Sequence, residues 1–313
     1  MKWKKQGLIF CTGGDQEWMQ SHAQDPVADA AGPDRLRVYF ATRDKTNRTV
    51  TTYVELDADN LQNVLYVHDR PILPLGELGA FDDCGVMSSA IVEHEGTKYF
   101  YYTGWNTSTS VPYRLSIGLA VSEDGGKTFR RPCLGPVLER TYREPHFCCA
   151  PYVMIDEGTW KMWYTSCTGW EVVQGKPEPR YHIKYAESED GIRWQQTGVV
   201  CIDYDPSREA ITRPSVLKTG GEYRMWYCHR ALGGYRTEKT ASYRISYARS
   251  ADGLDWELHD DFGGLDVSPS GWDADMTAYP WVFPHRGKTV MLYNGNGFGR
   301  SGFGYAILQE EAE

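Results

Sequence analysis

Short apolar runs that end on an aromatic residue recur along the chain at a nearly constant spacing. The closing aromatic residues are 62, 62, 63 and 66 positions apart, and they are Phe40, Tyr102, Tyr164, Tyr227 and Tyr293. A second apolar segment follows four of these runs, starting at Ile117, Ile183, Ile245 and Phe303. Runs this short, rich in aromatic and β-branched residues, predict β-strands, and their regular recurrence predicts a repeat protein.

A turn motif follows the second segment in three of the repeats. It occupies Ser122–Phe129, Ser188–Trp194 and Ser250–Trp256, each with an Asp-Gly pair and a closing aromatic residue. The glycine supplies the positive φ of a hairpin turn, and the aromatic residue starts the next strand. Each repeat therefore predicts three or four antiparallel strands. We predict an all-β fold, a five-bladed β-propeller, because no segment of about ten residues keeps a helical period.

The two chain ends complete one repeat between them. The fifth repeat stops at Leu308 after its third strand, while Trp3–Phe10 resembles the Trp-led strand Trp194–Val200. We therefore predict that the N-terminal strand pairs into the last blade and closes the ring, which makes residues 1–313 a single domain. The predicted blades are 22–76, 81–139, 144–203, 209–265, and 271–308 with 3–10.

Net charge, apolar runs and cysteine spacing indicate which partners, cellular location and cofactors to expect. The formal net charge is −9 and the basic residues form no run, which argues against nucleic acid and anionic membranes as partners. The apolar run Leu8–Cys11 is too short for a signal peptide, and no stretch is long enough for a membrane span, so we expect a cytoplasmic protein. The eight cysteines include no CxxC pair and no Cys/His cluster, so we expect reduced thiols and neither a metal nor another cofactor.

Acidic residues recur near the start of every predicted blade. They are Asp25, Asp83, Glu144, Glu209 and Asp275, with Asp82 and Asp273 beside two of them. Since the innermost strands of a propeller line its axial channel, we expect these acids to converge at one mouth. Most enzymes that cleave a glycosidic bond use a pair of carboxyl groups, one on each side of the bond. Acids before strands are also common as turn residues that bond their own backbone, which is the structural alternative.

Other polar and aromatic residues accompany these acids as candidates for substrate binding. They are His22, Arg43, Asp82, Trp105, Asn106, His146, Trp170, Arg213, Arg230, Asp275 and Asn296. An arginine there either binds a substrate carboxylate or phosphate or neutralises a neighbouring acid. Trp and Asn at a channel mouth suit a sugar, whose ring stacks on an aromatic face and whose hydroxyls need donors and acceptors.

The repeat resembles a known group of enzymes. Asp25-Pro26 on the first strand and the recurring Tyr-Ala-x-Ser-x-Asp-Gly-x-x-Trp resemble the five-bladed β-propeller glycoside hydrolases of families 43 and 32, which include invertases, arabinanases and β-xylosidases. The resemblance implies an Asp on blade one as base or nucleophile, an Asp beside a proline on blade three, and a Glu beside a proline on blade four as general acid. Asp25 matches the first role, whereas Ala150 and Arg213 stand beside the other two prolines.

These observations predict a glycoside hydrolase that acts on a small glycoside or oligosaccharide. The candidate catalytic residues are Asp25 as base or nucleophile, Glu144 or Glu209 as proton donor, and Asp83. Two alternatives stay open. One is a glycoside phosphorylase that uses inorganic phosphate, held by arginine and histidine residues, which are Arg43, His146, Arg213, His229 and Arg230. The other is a non-catalytic, carbohydrate-binding propeller.

Overall fold

Antiparallel strands account for almost all the regular structure of the chain. The computed structural model describes residues 1–259 and 263–309. Within these two ranges the helical elements are the single turn α1 (Asn296–Gly299) and a 3-10 turn at Lys239–Ala241. Because these two turns are the helical elements among nineteen strands, the prediction of an all-β fold is confirmed.

No helix in the described part of the chain is long and apolar enough to cross a membrane.

Nineteen strands are described, and they fall into groups of successive neighbours. In chain order they are β1 Lys2–Phe10, β2 Ser21–Ala30, β3 Arg35–Arg43, β4 Thr49–Asp57, β5 Val64–Val67, β6 Gly85–His94, β7 Thr97–Thr107, β8 Tyr113–Ser122, β9 Cys148–Asp156, β10 Thr159–Val173, β11 Lys176–Ser188, β12 Gln195–Ile202, β13 Ala210–Thr219, β14 Glu222–Arg230, β15 Arg244–Ser250, β16 Glu257–Leu258, β17 Ala278–His285, β18 Lys288–Asn294 and β19 Phe303–Gln309.

Hydrogen bonding joins these strands into antiparallel groups. The pairing orders are β2-β3-β4-β5, β6-β7-β8, β9-β10-β11-β12, β13-β14-β15-β16 and β17-β18-β19-β1. The first two groups form one seven-stranded sheet path through a single parallel pair, Thr49 opposite Gly85. The N-terminal strand lies where the sequence predicts it, because β1 pairs with β19 and Trp3 stands opposite Leu308.

The first strands of the five groups contact one another in a cycle. β2 contacts β6, β6 contacts β9, β9 contacts β13, β13 contacts β17, and β17 contacts β2. Residues far apart in sequence are thereby brought around a common centre.

The second strand of each group carries the most deeply buried aromatic residues. Trp163, Tyr164, Trp226 and Tyr227 are all fully buried, because these strands pack against neighbouring groups on both faces. Burying such large side chains stabilises the fold by about 2–3 kcal/mol each. The periodic aromatic residues of the sequence are therefore core residues.

Polar atoms of these aromatic residues connect one group to the turn of the next. Tyr39 Oη donates to the Gly126 carbonyl at 2.7 Å, Tyr101 Oη to the Gly191 carbonyl at 2.6 Å, and Trp163 Nε1 to the Gly253 carbonyl at 2.7 Å. Each acceptor belongs to the Ser-x-Asp-Gly turn that follows the next group's third strand. A buried Tyr or Trp needs a partner for its polar atom, and the recurring turn provides it.

Candidate functional site

The first strands share an irregularity at the same level around the centre. The register of β2, β9, β13 and β17 skips two residues there, and the register of β6 skips Ser89. In the four two-residue bulges a non-glycine residue with positive φ precedes a proline, at Asp25 (φ 55), Ala150 (φ 47), Arg213 (φ 58) and Tyr279 (φ 56). Such backbone conformations cost about 1–3 kcal/mol each and concentrate at functional sites.

The backbone of every positive-φ bulge residue is held by a side chain from the preceding group. The donor–acceptor pairs are Ala150 N to Thr103 Oγ1 at 2.8 Å, Arg213 N to Thr165 Oγ1 at 3.3 Å, Tyr279 N to Cys228 Sγ at 3.0 Å, and Asp25 N to Asn294 Oδ1 at 2.8 Å. Each acceptor directly follows the closing aromatic residue of its second strand. The bulges are therefore held in place by hydrogen bonds between neighbouring strand groups.

All five bulges open into one cavity of about 480 Å³, with Asp25, Ser89, Ala150, Arg213 and Tyr279 on its wall. Aromatic side chains form much of the remaining wall, namely Trp105, Tyr113, Phe147, Tyr181, Tyr235, Tyr243 and Phe298. A concave apolar wall with a few convergent polar groups is typical of a small-molecule site, and aromatic faces suit the apolar face of a sugar ring.

Asp25 contributes the single carboxyl group on the described part of this wall. It is 5% exposed, and its Oδ2 accepts a hydrogen bond from Gln24 Nε2 at 3.3 Å. Arg213 Nε lies 3.6 Å from Asp25 Oδ1. Burial raises the pKa of Asp25 above its ordinary value and outweighs the opposing effect of the Arg213 guanidinium. Asp25 is therefore suited to hold a proton and to donate it.

Three arginines share the wall with Asp25, namely Arg43, Arg213 and Arg236. Arg43 is half-buried and its Nε donates to Gln24 Oε1 at 3.2 Å. Arg236 pairs with the buried carboxylate of Glu178. The cavity therefore combines one carboxyl group with an excess of positive charge.

His22 is not on the cavity wall, although it lies close enough to Arg43 to feel its charge. It is buried, and its Nδ1 lies 2.8 Å from Ser21 Oγ. Burial, assisted by the charges of Arg43 and Arg300, lowers the pKa of His22 to about 4. His22 is consequently neutral at neutral pH and does not add to the positive charge.

The other acids predicted from the sequence lie elsewhere, and three of them form a recurring cluster. In each cluster a closing tyrosine donates to the carboxylate and a cation pairs with it. Asp82 accepts a hydrogen bond from Tyr102 at 2.8 Å and forms an ion pair with Arg131 at 2.7 Å. Glu144 has the same two partners in Tyr164 at 3.0 Å and Lys184 at 3.0 Å, and Asp273 has them in Tyr293 at 2.9 Å and Lys5 at 2.7 Å. The periodicity of these acids follows from a repeated packing arrangement, and the structure places none of the three on the cavity wall.

The remaining predicted acids satisfy local backbone or surface groups. Asp83 accepts from Gly79 N at 2.9 Å, and Glu209 accepts from Leu232 N at 2.8 Å. Asp275 has a side chain that is 63% exposed. None of the three lines the described cavity, so the expected ring of acids around one mouth is absent there and a single acid, Asp25, takes its place.

Of the predicted binding residues, Arg43, Trp105 and Arg213 join Asp25 on the wall. Two others stand behind it. Trp170 packs edge-on against Tyr113 and Phe147, with ring centroids 5.3 and 5.7 Å away. The Arg230 guanidinium lies 3.7 Å from the ring centre of Tyr235. Both therefore support wall residues without lining the cavity themselves.

Three more predicted binding residues lie away from the wall. Asn106 Nδ2 donates to the Ala80 carbonyl at 3.4 Å, and Asn296 Oδ1 accepts from Asp275 N at 2.7 Å. His146 is half-buried outside the cavity lining.

Tyr279, Ser89, Ala150 and most of the aromatic wall are absent from the sequence-based candidates. A signal for two of them was present, because aligning the residue before each proline places Ala150 and Tyr279 at the positions of Asp25 and Arg213. Ser89 has no following proline and carries no such signal.

No group of three or more His, Cys, Asp or Glu side chains in the described ranges could hold a metal ion.

Comparisons with known proteins place the chain among close and distant relatives. It is 42% identical over 310 residues to two Mycobacterium tuberculosis sequences, "Uncharacterized protein MT1551" and "Uncharacterized protein Rv1502", covering 99% of this chain and 100% of each relative. No family model matches the sequence.

Solved structures share the fold at low sequence identity. A thermostable family-43 glycoside hydrolase superposes with a TM-score of 0.69 at 16% identity, covering 94% of this chain and 90% of that one. A structure described with the GH130 family of mannoside phosphorylases, which contains glycoside hydrolases that target β-1,2 mannosidic linkages in Candida mannan, gives 0.71 at 15%, covering 98% and 94%. The chain therefore has the β-propeller-like fold of these glycoside-cleaving enzymes.

Proposed function

The chain belongs to the family of the Mycobacterium tuberculosis proteins Rv1502 and MT1551, and we propose that it is a five-bladed β-propeller that cleaves glycosidic bonds. The cyclic contacts of β2, β6, β9, β13 and β17 support five blades, and the pairing of β1 with β19 supports ring closure. The blades form one domain over residues 1–313. All eight cysteines are free thiols, which supports a cytoplasmic location.

We assign Asp25 the role of proton donor, in place of the base or nucleophile role expected from the sequence, and this assignment carries the proposal. Its carboxyl group is buried on the wall of an aromatic cavity, and its pKa is raised. A protonated carboxyl group in that position donates its proton to the glycosidic oxygen as the bond to the leaving group breaks. The C–O bond electrons remain on the leaving oxygen, which departs as an alcohol. Water or inorganic phosphate forms the new bond to the anomeric carbon and releases a proton, which restores the Asp25 carboxyl group.

The bulges and aromatic wall orient the sugar against this acid. The Asp25 backbone N–H is fixed by Asn294, and the cavity wall presents the rings of Trp105 and Tyr243. Holding a substrate rigidly beside a proton donor lowers the barrier by removing orientational freedom before the reaction.

Asp25→Asn tests the proposal because it preserves shape and removes the transferable proton. We expect kcat on a cleaved glycoside to fall about 10²–10⁴-fold with little change in KM. Asp275→Asn is the matched control, since its side chain is 63% exposed and outside the cavity. Equal turnover by Asp25→Asn and the wild type would exclude the assignment.

The pH profile gives an independent readout of the same group. As a proton donor, Asp25 is active when protonated, so kcat/KM falls as pH rises through its pKa. Because burial raises that pKa, the basic limb should lie above the ordinary value of 3.8. The same limb should be missing from the residual activity of Asp25→Asn.

Phosphorolysis is the second candidate, favoured by the presence of one carboxyl group on the described wall. Hydrolysis by two carboxyl groups needs a second one to activate water or to attack the sugar, whereas inorganic phosphate is already an anion at neutral pH. The GH130-related structure belongs to a family named for phosphorylases that also contains hydrolases. Sugar release that requires inorganic phosphate and yields a sugar phosphate would establish phosphorolysis, and release at full rate without phosphate would establish hydrolysis.

A further inference from the structure

Charge on the cavity wall is unbalanced. The described lining carries the carboxyl group of Asp25 and three guanidinium groups, and Arg236 already pairs with Glu178. Arg43 and Arg213 therefore share one carboxyl group whose raised pKa favours its neutral form.

Arg213 is the more deeply buried of these two arginines. It is 2% exposed, and its Nη1 donates to the Ser88 carbonyl at 3.2 Å. Its Nε lies 3.6 Å from Asp25 Oδ1, too far for a good hydrogen bond, and its Nη2 is buried without a partner among the described residues. An unpaired buried donor on a charged group is costly to keep, so Arg213 Nη2 needs a partner, and a ligand in the cavity can supply one.

Arg43, the last residue of β3, also lacks an anionic partner among the described residues. Within the described residues its side chain forms no ion pair within 4.0 Å, and its Nε donates to the neutral amide of Gln24. Burial lowers the pKa of both arginines, although guanidinium remains protonated in proteins. Two cations thus face the cavity with too little negative charge to balance them.

We propose that the substrate supplies the missing charge and that the protein acts on glycosides of a sugar acid, whose carboxylate is held by Arg213 and Arg43. The inference rests on the proposed function, since it names the substrate class of the same cavity. A planar carboxylate matches the guanidinium fork and makes charge-assisted hydrogen bonds that a neutral hydroxymethyl group cannot make.

The position of Arg213 favours an anion on the sugar over an attacking phosphate. Its Nε is 3.6 Å from Asp25, the proton donor, and so stands on the leaving-group side of the bond. In an inverting reaction the attacking group approaches from the opposite face, and the two carboxyl groups that serve these faces are about 6.5–9.5 Å apart.

The test is equilibrium binding, measured by calorimetry on the full chain. The probes are the hexuronates glucuronate, galacturonate and mannuronate, the matching neutral hexoses, and inorganic phosphate. The variants are Arg213→Gln, Arg43→Gln and Arg130→Gln, the last an exposed arginine paired with Glu123 that controls for net charge. We expect one hexuronate to bind the wild type at least about tenfold more tightly than its neutral counterpart. Arg213→Gln and Arg43→Gln should abolish that preference, and Arg130→Gln should keep it.

Three results would overturn the inference. The first is equal binding of uronates and neutral sugars by the wild type, and the second is an unchanged preference in Arg43→Gln. If Arg213→Gln fails to fold, the binding preference of Arg43→Gln is the test, because Arg43 is only half-buried and its replacement should leave the fold intact. Phosphate binding that depends on both arginines, with no preference among sugars, would also overturn it and assign the anion to phosphorolysis.

Asp25→Asn separates this inference from the proposed function. It should bind the uronate at least as tightly as the wild type, because it removes a competing carboxyl group, while losing turnover. Retained turnover would refute the role of Asp25 without affecting the binding result.

Discussion

Asp25 and Glu144 are both buried acids, yet their surroundings differ in one decisive way. Glu144 accepts hydrogen bonds from Tyr164 and Ser166 and pairs with Lys184 at 3.0 Å. The Asp25 carboxyl group accepts a hydrogen bond from Gln24 at 3.3 Å, and the Arg213 guanidinium is 3.6 Å away. Asp25 therefore lacks the set of donors that surrounds Glu144, and burial raises the pKa of Asp25 above its ordinary value.

Glu144→Gln should therefore lower the free energy of unfolding and leave kcat unchanged. The change leaves the buried Lys184 ammonium without a charged partner, and we expect a loss of about 3 kcal/mol in the free energy of unfolding, measured by urea denaturation. Because Glu144 is outside the cavity lining, kcat below the unfolding transition should stay close to the wild-type value. Glu157→Gln is the control, since that side chain is 86% exposed. Lost turnover at unchanged stability would return Glu144 to the catalytic candidates.

At the scale of elements, the Ser-x-Asp-Gly turns connect neighbouring strand groups through hydrogen bonds. Ser250 Oγ accepts from Gly253 N at 2.8 Å and donates to Asp252 Oδ1 at 2.9 Å. The Gly253 carbonyl then accepts from Trp163 of the preceding group and from Trp256 of its own turn. One turn thus joins two strand groups.

Ser250→Ala is expected to weaken that junction. It leaves the buried Gly253 N–H unsatisfied, so we expect a loss of about 1–2 kcal/mol in the free energy of unfolding. Chemical denaturation measures it, with Ser110→Ala at an exposed position as the control. A Ser250→Ala protein as stable as the control would show that water replaces the serine and that the turn is not a structural junction.

Strands and turns were predictable from the sequence because their signals are local. The spacing of Tyr102, Tyr164 and Tyr227 and the Asp-Gly turns each depend on a few neighbouring residues. The site was less predictable, because Asp82 and Glu144 share the phase of the repeat while their side chains point into a packing cluster. One-per-repeat spacing predicts equivalent positions, but it does not distinguish a position on the channel from one inside a sheet junction.

At the scale of the whole molecule, the N-terminal strand contributes to the stability of the last group and its neighbour. Trp3 packs edge-on against Trp226 with ring centroids 5.6 Å apart, and its Nε1 donates to the Gly263 carbonyl at 2.8 Å. These contacts connect β1 with the group of β13 to β16, which lies outside its own sheet.

Trp3→Ala should lower the stability of the entire chain in a single step. We expect a loss of about 3 kcal/mol and a Tm reduced by several degrees, with far-UV circular dichroism and loss of activity following one transition. Lys2→Ala, at an exposed position of the same strand, serves as the control. An early transition limited to part of the chain would indicate that the groups unfold independently.

The hydrogen bond from Asp25 N to Asn294 Oδ1 links residues 269 positions apart. During synthesis the acid emerges from the ribosome near the beginning of translation, but the amide that fixes its backbone emerges near the end. A ribosome-bound intermediate that has completed only four strand groups therefore holds every cavity arginine without the proposed proton donor fixed in place. The proposed activity thus requires almost the whole polypeptide, and truncated translation products should be inert toward glycosides.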